Sequence, residues 1–580
     1  MIRYHSLMSD CGTSDFLKVI WHGLTLDLSM AGYLTAVPAL ILITSIWIVG
    51  KWMRQVMKIY FIVASILVSM TFIVNLELYD FWGFPLDATP LFYFFSSPSE
   101  AFASVTIWFI LIGVAAIALY AYAIVWMALK AIGRDNNPIT NRITTTVLLV
   151  VITGMLFIPI RGGITVSSTN TGKVYFSNNQ RLNHAAVNPL FSTMESLSHN
   201  EDFGHQYRFM SNIEADKLFR RMIDTKSDST DILLTNNRPD VLIIIMESFS
   251  SKLMATLGGE NNVAVNLDSI AKAGVLFTHF HANSFRTDRG LVAILSGYPA
   301  QPTMSLMKFP HKTAHLPSIA ASLVKAGYGT KYYYGGDADF TNMRSYLVSS
   351  GFTDIVSDVN FPVGDRLSKW GVPDHLVFKR LINDLRQDKG TRHMFRVLQT
   401  SSSHEPFEVP YHRLKNERLN AFAYTDDCIG KFIEQFKKLP QWKKTLVILV
   451  PDHLGCYPQN INNFVLDRYK IPLIFTGGAV KRQRKVPIIG SQQDIAATLL
   501  GQMQLPHGEF TFSKDMMSRG IPHFAFFSVP DAFGMVTEDN ALIFDNQSGK
   551  TVLDEGRIKG KNLKMGKAFL QKLYDDISKR

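Results

Sequence analysis

Several apolar, β-branched runs in this chain end on groups able to bind a metal or accept a proton. Residues 241–246 (VLIIIM) are followed at once by Glu247, residues 330–334 by Gly335, Gly336 and Asp337, residues 393–399 by a serine run ending at His404, and residues 445–450 by Pro451, Asp452 and His453. One acidic residue after a strand is ordinarily a helix cap. Several of them, with an adjacent Asp-His pair, suit a metal site better, and carboxylate oxygens with an imidazole favour Zn²⁺ or Mn²⁺ over Ca²⁺. A nucleophile is available in the run Ser284-Phe285-Arg286-Thr287-Asp288-Arg289-Gly290, which precedes an apolar helical stretch at 291–295. The Thr287 hydroxyl there lies beside a helix N-terminus, where backbone N–H groups stabilise phosphate oxygens. Its plainer role is an N-cap.

The elements that must position these groups follow from periodicity. Short apolar runs at 241–246, 330–334, 393–399, 445–450 and 471–475 alternate with helical stretches such as 266–273, 316–326 and 422–439. That alternation predicts an α/β domain with a mostly parallel central sheet, in which ligands gather beyond the carboxyl ends of the strands. We place this domain at 240–505. A C-terminal appended subdomain, 506–580, has strand-like runs at 525–529 and 541–544 and a basic helical segment at 561–580, with no chemistry assigned. The run Lys481, Arg482, Arg484, Lys485 reads as solvated surface, and Cys456 as a small buried thiol rather than a ligand.

The amino-terminal quarter is different. The bilayer core is about 30 Å thick and needs roughly 20 apolar residues as helix. Segments at about 33–50, 59–76, 101–129 and 143–160 meet that requirement, which predicts a transmembrane domain over 1–160 with four helices. Residues 16–28 are short and mixed, as an interfacial helix would be. Lys51, Arg54 and Lys58 make one connecting loop basic, as Lys130, Arg134 and Arg142 do another, while 77–100 carries Glu77, Asp80, Asp87 and Glu100 but no Lys or Arg. Basic loops face the cytoplasm. The expectation is a multi-pass protein of the cell (cytoplasmic) membrane, with residues 1–32 and everything after 160 on the extracytoplasmic side, and 161–239 a polar, Asn/Ser-rich juxtamembrane connector. The N-terminus lacks the pattern of a cleavable signal.

Charge and cysteine content narrow the class. The chain has 580 residues, 59 Lys and Arg against 48 Asp and Glu. The first 160 residues hold eight of each sign, so the whole +11 lies beyond them. A mean hydropathy of +0.08 is therefore the average of an oily part and a wet part. Three cysteines exclude a disulfide scaffold. An excess of basic charge next to a membrane suits anionic lipid headgroups, and no nucleic-acid partner is expected.

Taken together, the motifs resemble the alkaline phosphatase/sulfatase superfamily, and within it the membrane-bound phosphoglycerol transferases of the lipoteichoic acid synthase type. The matching landmarks are Met246-Glu247-Ser248, the Thr287 segment, Gly336-Asp337, Trp370-Gly371-Val372-Pro373-Asp374, Ser403-His404-Glu405-Pro406-Phe407, Tyr424-Thr425-Asp426 and Asp452-His453-Leu454-Gly455. The resemblance implies a sulfatase-like (alkaline phosphatase-like) α/β domain and one divalent metal, typically Mn²⁺ with Mg²⁺ or Zn²⁺ as alternatives, held by Glu247, Thr287, Asp452 and His453. It further implies Thr287 as nucleophile and substrate contacts from Asp337, Arg344 and His404. This sequence has Gly335 and Asn342 where the family usually has His and Trp. Formylglycine sulfatases need Cys or Ser at the Thr287 position with a following proline motif, and threonine cannot form that group.

The implied reaction moves phosphoglycerol from phosphatidylglycerol to an acceptor hydroxyl of a glycolipid, a polyglycerol-phosphate chain or a glycan, through a covalent threonine. Two other readings share the residues. One is a phosphoethanolamine transferase or a phosphodiesterase/sulfatase-type hydrolase of the same superfamily; the phosphoethanolamine enzymes generally carry several disulfides. The other is an inactive membrane-anchored binding module, which would have lost a ligand or the nucleophile.

Overall fold

The computed structural model describes residues 3–4, 11–48, 50–82, 85–87, 107–131, 141–164, 168–177, 179–198, 203–224, 229–388 and 390–580. The chain divides into two compact units, Met1–Glu201 and Asp202–Arg580. The division falls within the stretch read from sequence as a connector.

In the first unit, α1 (Thr13–Trp47), α2 (Lys51–Trp82), α3 (Ile107–Ala131) and α4 (Arg142–Met155, continued by the turn Phe157–Arg161) form the apolar helices. Four spans, Thr13–Trp47, Trp52–Tyr79, Ile110–Lys130 and Arg142–Arg161, are long and apolar enough to cross a membrane. Residues 101–106 of the expected third span, Glu100 and Arg134 lie outside the described residues. Many of the large apolar side chains point outward, among them Trp108, Leu119 and Ile143, each 72% exposed, as a lipid-facing surface requires. The break at Leu156 has a cause in Pro159, which has no N–H to donate to the Met155 carbonyl four residues back. One expectation is corrected: residues 16–28 form no separate interfacial helix but continue into the first span. Nothing between Leu28 and Tyr33 breaks a helix, and Gly32 allows close packing, since a Cβ there would lie 2.7 Å from Ile160 Cγ1. Ser29 fixes the same contact by donating to the Ile160 carbonyl at 2.9 Å. Two short helices, α5 (Gln180–Ala186) and α6 (Pro189–Ser198), complete this unit; Asn179 caps α5 by accepting from Arg181 N at 3.1 Å.

The second unit is built on an eight-stranded sheet. Its strands are β1 (Asp240–Met246), β2 (Val275–His281), β3 (Gly329–Tyr334), β4 (Ile355–Val356), β5 (Met394–Gln399), β6 (Thr445–Pro451), β7 (Leu473–Thr476) and β8 (Arg484–Ser491), in the order β4-β3-β5-β1-β6-β7-β2-β8. Every neighbouring pair is parallel except those made by β7, which runs against both β6 and β2. The mostly parallel sheet expected from sequence is therefore present. Strand β1 shows why its sequence is continuously apolar: Val241, Ile243 and Ile245 enter the core on one face, and Leu242, Ile244 and Met246 the core on the other.

Strands β2 and β8 were not anticipated, because Thr278 and His279 interrupt the apolar pattern of one and Arg484 and Lys485 open the other. The basic run at 481–485 is thus partly the start of an edge strand, with Arg484 paired to Asp231 at 2.5 Å. Charge on an edge discourages further strand addition. The helices of this unit include α7 (Asn212–Ile223) and α8 (Thr287–Ser296), and the C-terminal stretch forms an antiparallel sheet of β9 (Ala525–Val529), β10 (Ala532–Val536), β11 (Asn540–Asp545) and β12 (Lys550–Gly556), followed by a final helix, α9 (Leu563–Lys579). Asn283 ties this sheet to the larger one, donating to the Phe526 carbonyl at 2.8 Å while its own carbonyl accepts from Ser528 N.

Candidate active site

Register puts the first ligands side by side. Strands β1 and β6 are neighbours with Met246 opposite Pro451, so Glu247 and the pair Asp452-His453 leave the sheet at the same level. Glu247 N donates to Thr400 Oγ1 at 2.9 Å, and Ser248 N to Asp452 Oδ1 at 2.8 Å, which fixes the two turns against each other. Ser248 has φ +62°, and its Oγ donates to Glu247 Oε1 at 2.8 Å.

Thr287 arrives from the other side as the first residue of α8. The N-cap position belongs to Arg286. Helix α8 comes very close to the β6 end because position 290 is glycine: a Cβ there would lie 2.3 Å from the Asp452 carbonyl oxygen. The Thr287 hydroxyl lies 3.3 Å from Glu247 Oε2 and 3.3 Å from His453 Nε2. Glu247, Asp452 and His453 each present a ligand atom within 4.8 Å of the others. The structure thus brings together all four residues that the resemblance named as metal ligands.

Electrostatics show what such a cluster lacks. Asp452 is fully buried and its Oδ2 has no hydrogen-bond partner. Burial first, and then the Asp452 charge, push the Glu247 carboxyl well above its usual range. Two buried carboxylates with an orphaned oxygen are costly without positive charge. An oxygen-rich set with one imidazole and a hydroxyl fits a single divalent cation.

His404 lines the same cleft, a cavity of about 920 Å³ that also holds Thr287, Trp370, Arg289, Lys308 and Arg468. Its ring packs on Trp370 with centroids 3.9 Å apart. Burial lowers its pKa below the ordinary histidine value, a shift that the Glu405 carbonyl, 3.1 Å from Nδ1, partly opposes. Asp337 and Arg344 behave differently, for neither lines this cavity. Arg344 Nε donates to Asp339 Oδ1 at 2.5 Å, and Asp337 Oδ1 accepts from Asp339 N at 2.9 Å.

Other landmarks turn out to hold loops. Asp374 is buried and accepts from Ser401 N, Ser402 N and Thr425 Oγ1, which anchors the serine run that leads to His404. Asp426 accepts from Asn266 N and Leu267 N at the start of a neighbouring helix, and burial pushes its carboxyl up to about 6. Sequence reasoning missed the cleft arginines. Arg289 is buried and Arg468 half-buried, each with an unpartnered Nε. Arg289 was visible inside the Thr287 segment, whereas Arg468 lies in an irregular stretch with no local signal. The cleft wall also includes Pro530 and Asp531 from the β9–β10 turn, so the C-terminal sheet contributes to it. Cys456 is half-buried with its thiol pushed up to about 11 by burial, and among the described residues no cysteine is paired.

A mostly parallel α/β sheet with carboxylates, an imidazole and a helix-borne threonine at its carboxyl edge defines the class. Residues 239–505 match the sulfatase family model, so this part of the chain is similar to the sulfatase domain. Among curated proteins, phosphoglycerol transferase I of Xanthomonas campestris pv. campestris (strain ATCC 33913) is 26% identical over 215 residues, covering 34% of this chain. Phosphoglycerol transferase I of Xanthomonas euvesicatoria pv. vesicatoria is 25% identical over 215 residues, with the same coverage. The match spans only 30% of the length of these relatives. Among solved structures, a protein in the alkaline phosphatase superfamily from Vibrio parahaemolyticus aligns with a TM-score of 0.58 at 24% identity, covering 64% of this chain and 97% of that one. The lipoteichoic acid synthase LtaP from Listeria monocytogenes aligns with a TM-score of 0.52 at 16% identity, covering 64% and 98%. At these identities the structural likeness shows the fold.

Proposed function

We propose that this chain is a membrane-anchored, metal-dependent transferase that moves phosphoglycerol from phosphatidylglycerol to an acceptor hydroxyl through a covalent intermediate on Thr287. The observation that carries this reading is the Thr287 hydroxyl held 3.3 Å from both Glu247 and His453 at a helix N-terminus, beside the orphaned Asp452 oxygen. The phosphoglycerol transferases among its relatives support the choice of headgroup.

Glu247, Thr287, Asp452 and His453 would hold a single divalent ion, Mn²⁺ in this reading, which supplies Lewis acidity toward a phosphate oxygen and toward the threonine hydroxyl. Thr287 Oγ1 attacks phosphorus, the bond from phosphorus to the diacylglycerol oxygen breaks, and the threonine proton ends on diacylglycerol. In the second displacement an acceptor hydroxyl attacks the same phosphorus, the bond from phosphorus to Thr287 Oγ1 breaks, and the acceptor's proton is carried to the released threonine oxygen. His404 suits that proton: a carbonyl only accepts, so Nδ1–H donates to Glu405 and Nε2 carries the lone pair. The site faces the extracytoplasmic side in this reading, as the basic turns of the membrane unit require.

The test is mass spectrometry of Thr287 after brief exposure of the Mn²⁺-loaded protein to phosphatidylglycerol or to phosphatidylethanolamine. We expect a phosphoglycerol adduct, diacylglycerol release, and neither in Thr287→Ala. A phosphoethanolamine adduct would reassign the headgroup, and turnover retained by Thr287→Ala would remove the covalent step.

A further inference from the structure

The membrane unit contains a second cavity of about 920 Å³, bounded wholly by its own residues. Leu34, Val68 and Phe72 line it nearer the connection between α1 and α2, and Arg3, Arg181, His184 and Asp27 line it farther out, together with the apolar Phe16, Val19 and Ile20. At the outer end Arg3 pairs with Glu77 at 3.2 Å, and the Tyr79 hydroxyl lies 3.1 Å from His184 Nδ1.

This order matches the thickness of a bilayer. Helices α1 and α2 are joined through residues 48–50, at the end where the first turns of α2 carry Arg54 and Lys58. At 1.5 Å per residue, Leu34 lies about 20 Å from that connection along α1, and Val68 and Phe72 about 26–32 Å along α2. Asp27 is about 30 Å away and Glu77 and Tyr79 about 39–42 Å, which is at and just past a hydrocarbon core of about 30 Å. Leu34 and Val68 are thus at acyl-chain depth in the leaflet opposite the basic turn, with Phe72 and Asp27 at the edge of the core. The two arginines and the histidine are at headgroup depth.

We infer that this cavity binds a glycerophospholipid, with an acyl chain along Leu34, Val68 and Phe72 and the phosphodiester at Arg3, Arg181 and His184. A guanidinium is well matched to phosphate geometry, and the apolar floor accounts for a ligand of amphipathic shape. A lipid without phosphate would fill the floor and offer no negative charge to Arg181. The assignment stands apart from the proposed transfer reaction and needs no turnover.

The test uses the full chain carrying Thr287→Ala, stripped of lipid in detergent and offered phosphatidylglycerol, phosphatidylethanolamine or diacylglycerol, with retained lipid counted by native mass spectrometry. Both phospholipids are expected to occupy this cavity, and diacylglycerol not to displace them. Arg181→Gln removes a charge-assisted contact and should weaken one bound copy about tenfold. Met30→Trp, which fills the cavity from α1, should remove that copy while the protein keeps its helicity and its elution volume. Displacement of phospholipid by diacylglycerol at equal concentration, or unchanged retention in both variants, would overturn the inference. Transferase turnover of the Arg181→Gln protein with native Thr287 reports on the reaction separately.

Discussion

Thr287, Glu247, Asp452 and His453 each have an ordinary alternative, and only their mutual distances make them a candidate site. Glu247→Gln and Asp452→Asn should each remove metal, read by elemental analysis of the purified protein; losing a ligand carboxylate is expected to cost at least about 10²-fold in affinity. Gly290→Ala is a sharper probe, because it touches no ligand side chain. Its Cβ would meet the Asp452 carbonyl at 2.3 Å, so either α8 or the β6 end must shift. We expect metal affinity to fall with the fold retained, at a stability cost of about 1–3 kcal/mol. His404 gives a pH prediction. Its lowered pKa keeps the base form available further into acid than ordinary imidazole, so the acid limb of the pH–rate profile should lie below about 6.5 and disappear in His404→Gln, leaving a low flat rate.

At the scale of elements, strand ends and helix starts carry the candidate site, and buried side chains hold them. His281 closes β2 fully buried, its ring stacked toward Phe527 with centroids 6.4 Å apart, and burial pulls its pKa down to about 4. The unfolded chain titrates this group near 6.5 and the folded one near 4. Stability from neutral His281 is therefore complete above about 6.5 and is lost as pH falls toward 4, by up to about 3 kcal/mol. Thermal melts of the protein between pH 7 and 4.5 should show this slope, and His281→Phe should flatten it; an identical slope in the variant would exclude His281 as its source. Trp370 plays a comparable part for His404, because its ring face holds the imidazole in place. Trp370→Ala should lower kcat more than it raises KM, and Trp370→Phe should restore most of the loss.

For the whole molecule, the charge is unevenly distributed: the balanced first 160 residues hold the four helices long and apolar enough to cross a membrane, and the remaining 51 basic and 40 acidic residues lie after them. An excess of that kind attracts anionic bilayers over about 8–10 Å at physiological salt. Reconstituted enzyme should therefore lose kcat/KM on phosphatidylglycerol as ionic strength rises, with little change in kcat. A salt-independent kcat/KM would separate net charge from substrate capture.

What was legible in the sequence was whatever is local. Apolar runs long enough to span a bilayer marked the membrane unit, and β1, apolar at every position from Val241 to Met246, marked a strand buried on both faces. The groups following β1, β3, β5 and β6 were visible for the same reason, since a strand end and its next residues are contiguous. Strands β2 and β8 were hidden because polar residues interrupt them, and a position among neighbours in a sheet is not written in any one segment. The continuity of α1 through residues 16–28 likewise depends on packing at Gly32. Tertiary structure alone decided that Thr287 meets Glu247 and His453, because that contact joins segments 40 and 166 residues apart. It also decided that Arg344 turns to Asp339, that Arg468 and the β9–β10 turn reach the cleft, and that Arg181 faces the cavity of the membrane unit. Sequence sets the chemistry of each group, whereas the register of β1 against β6 and the close approach allowed at Gly290 set which groups meet.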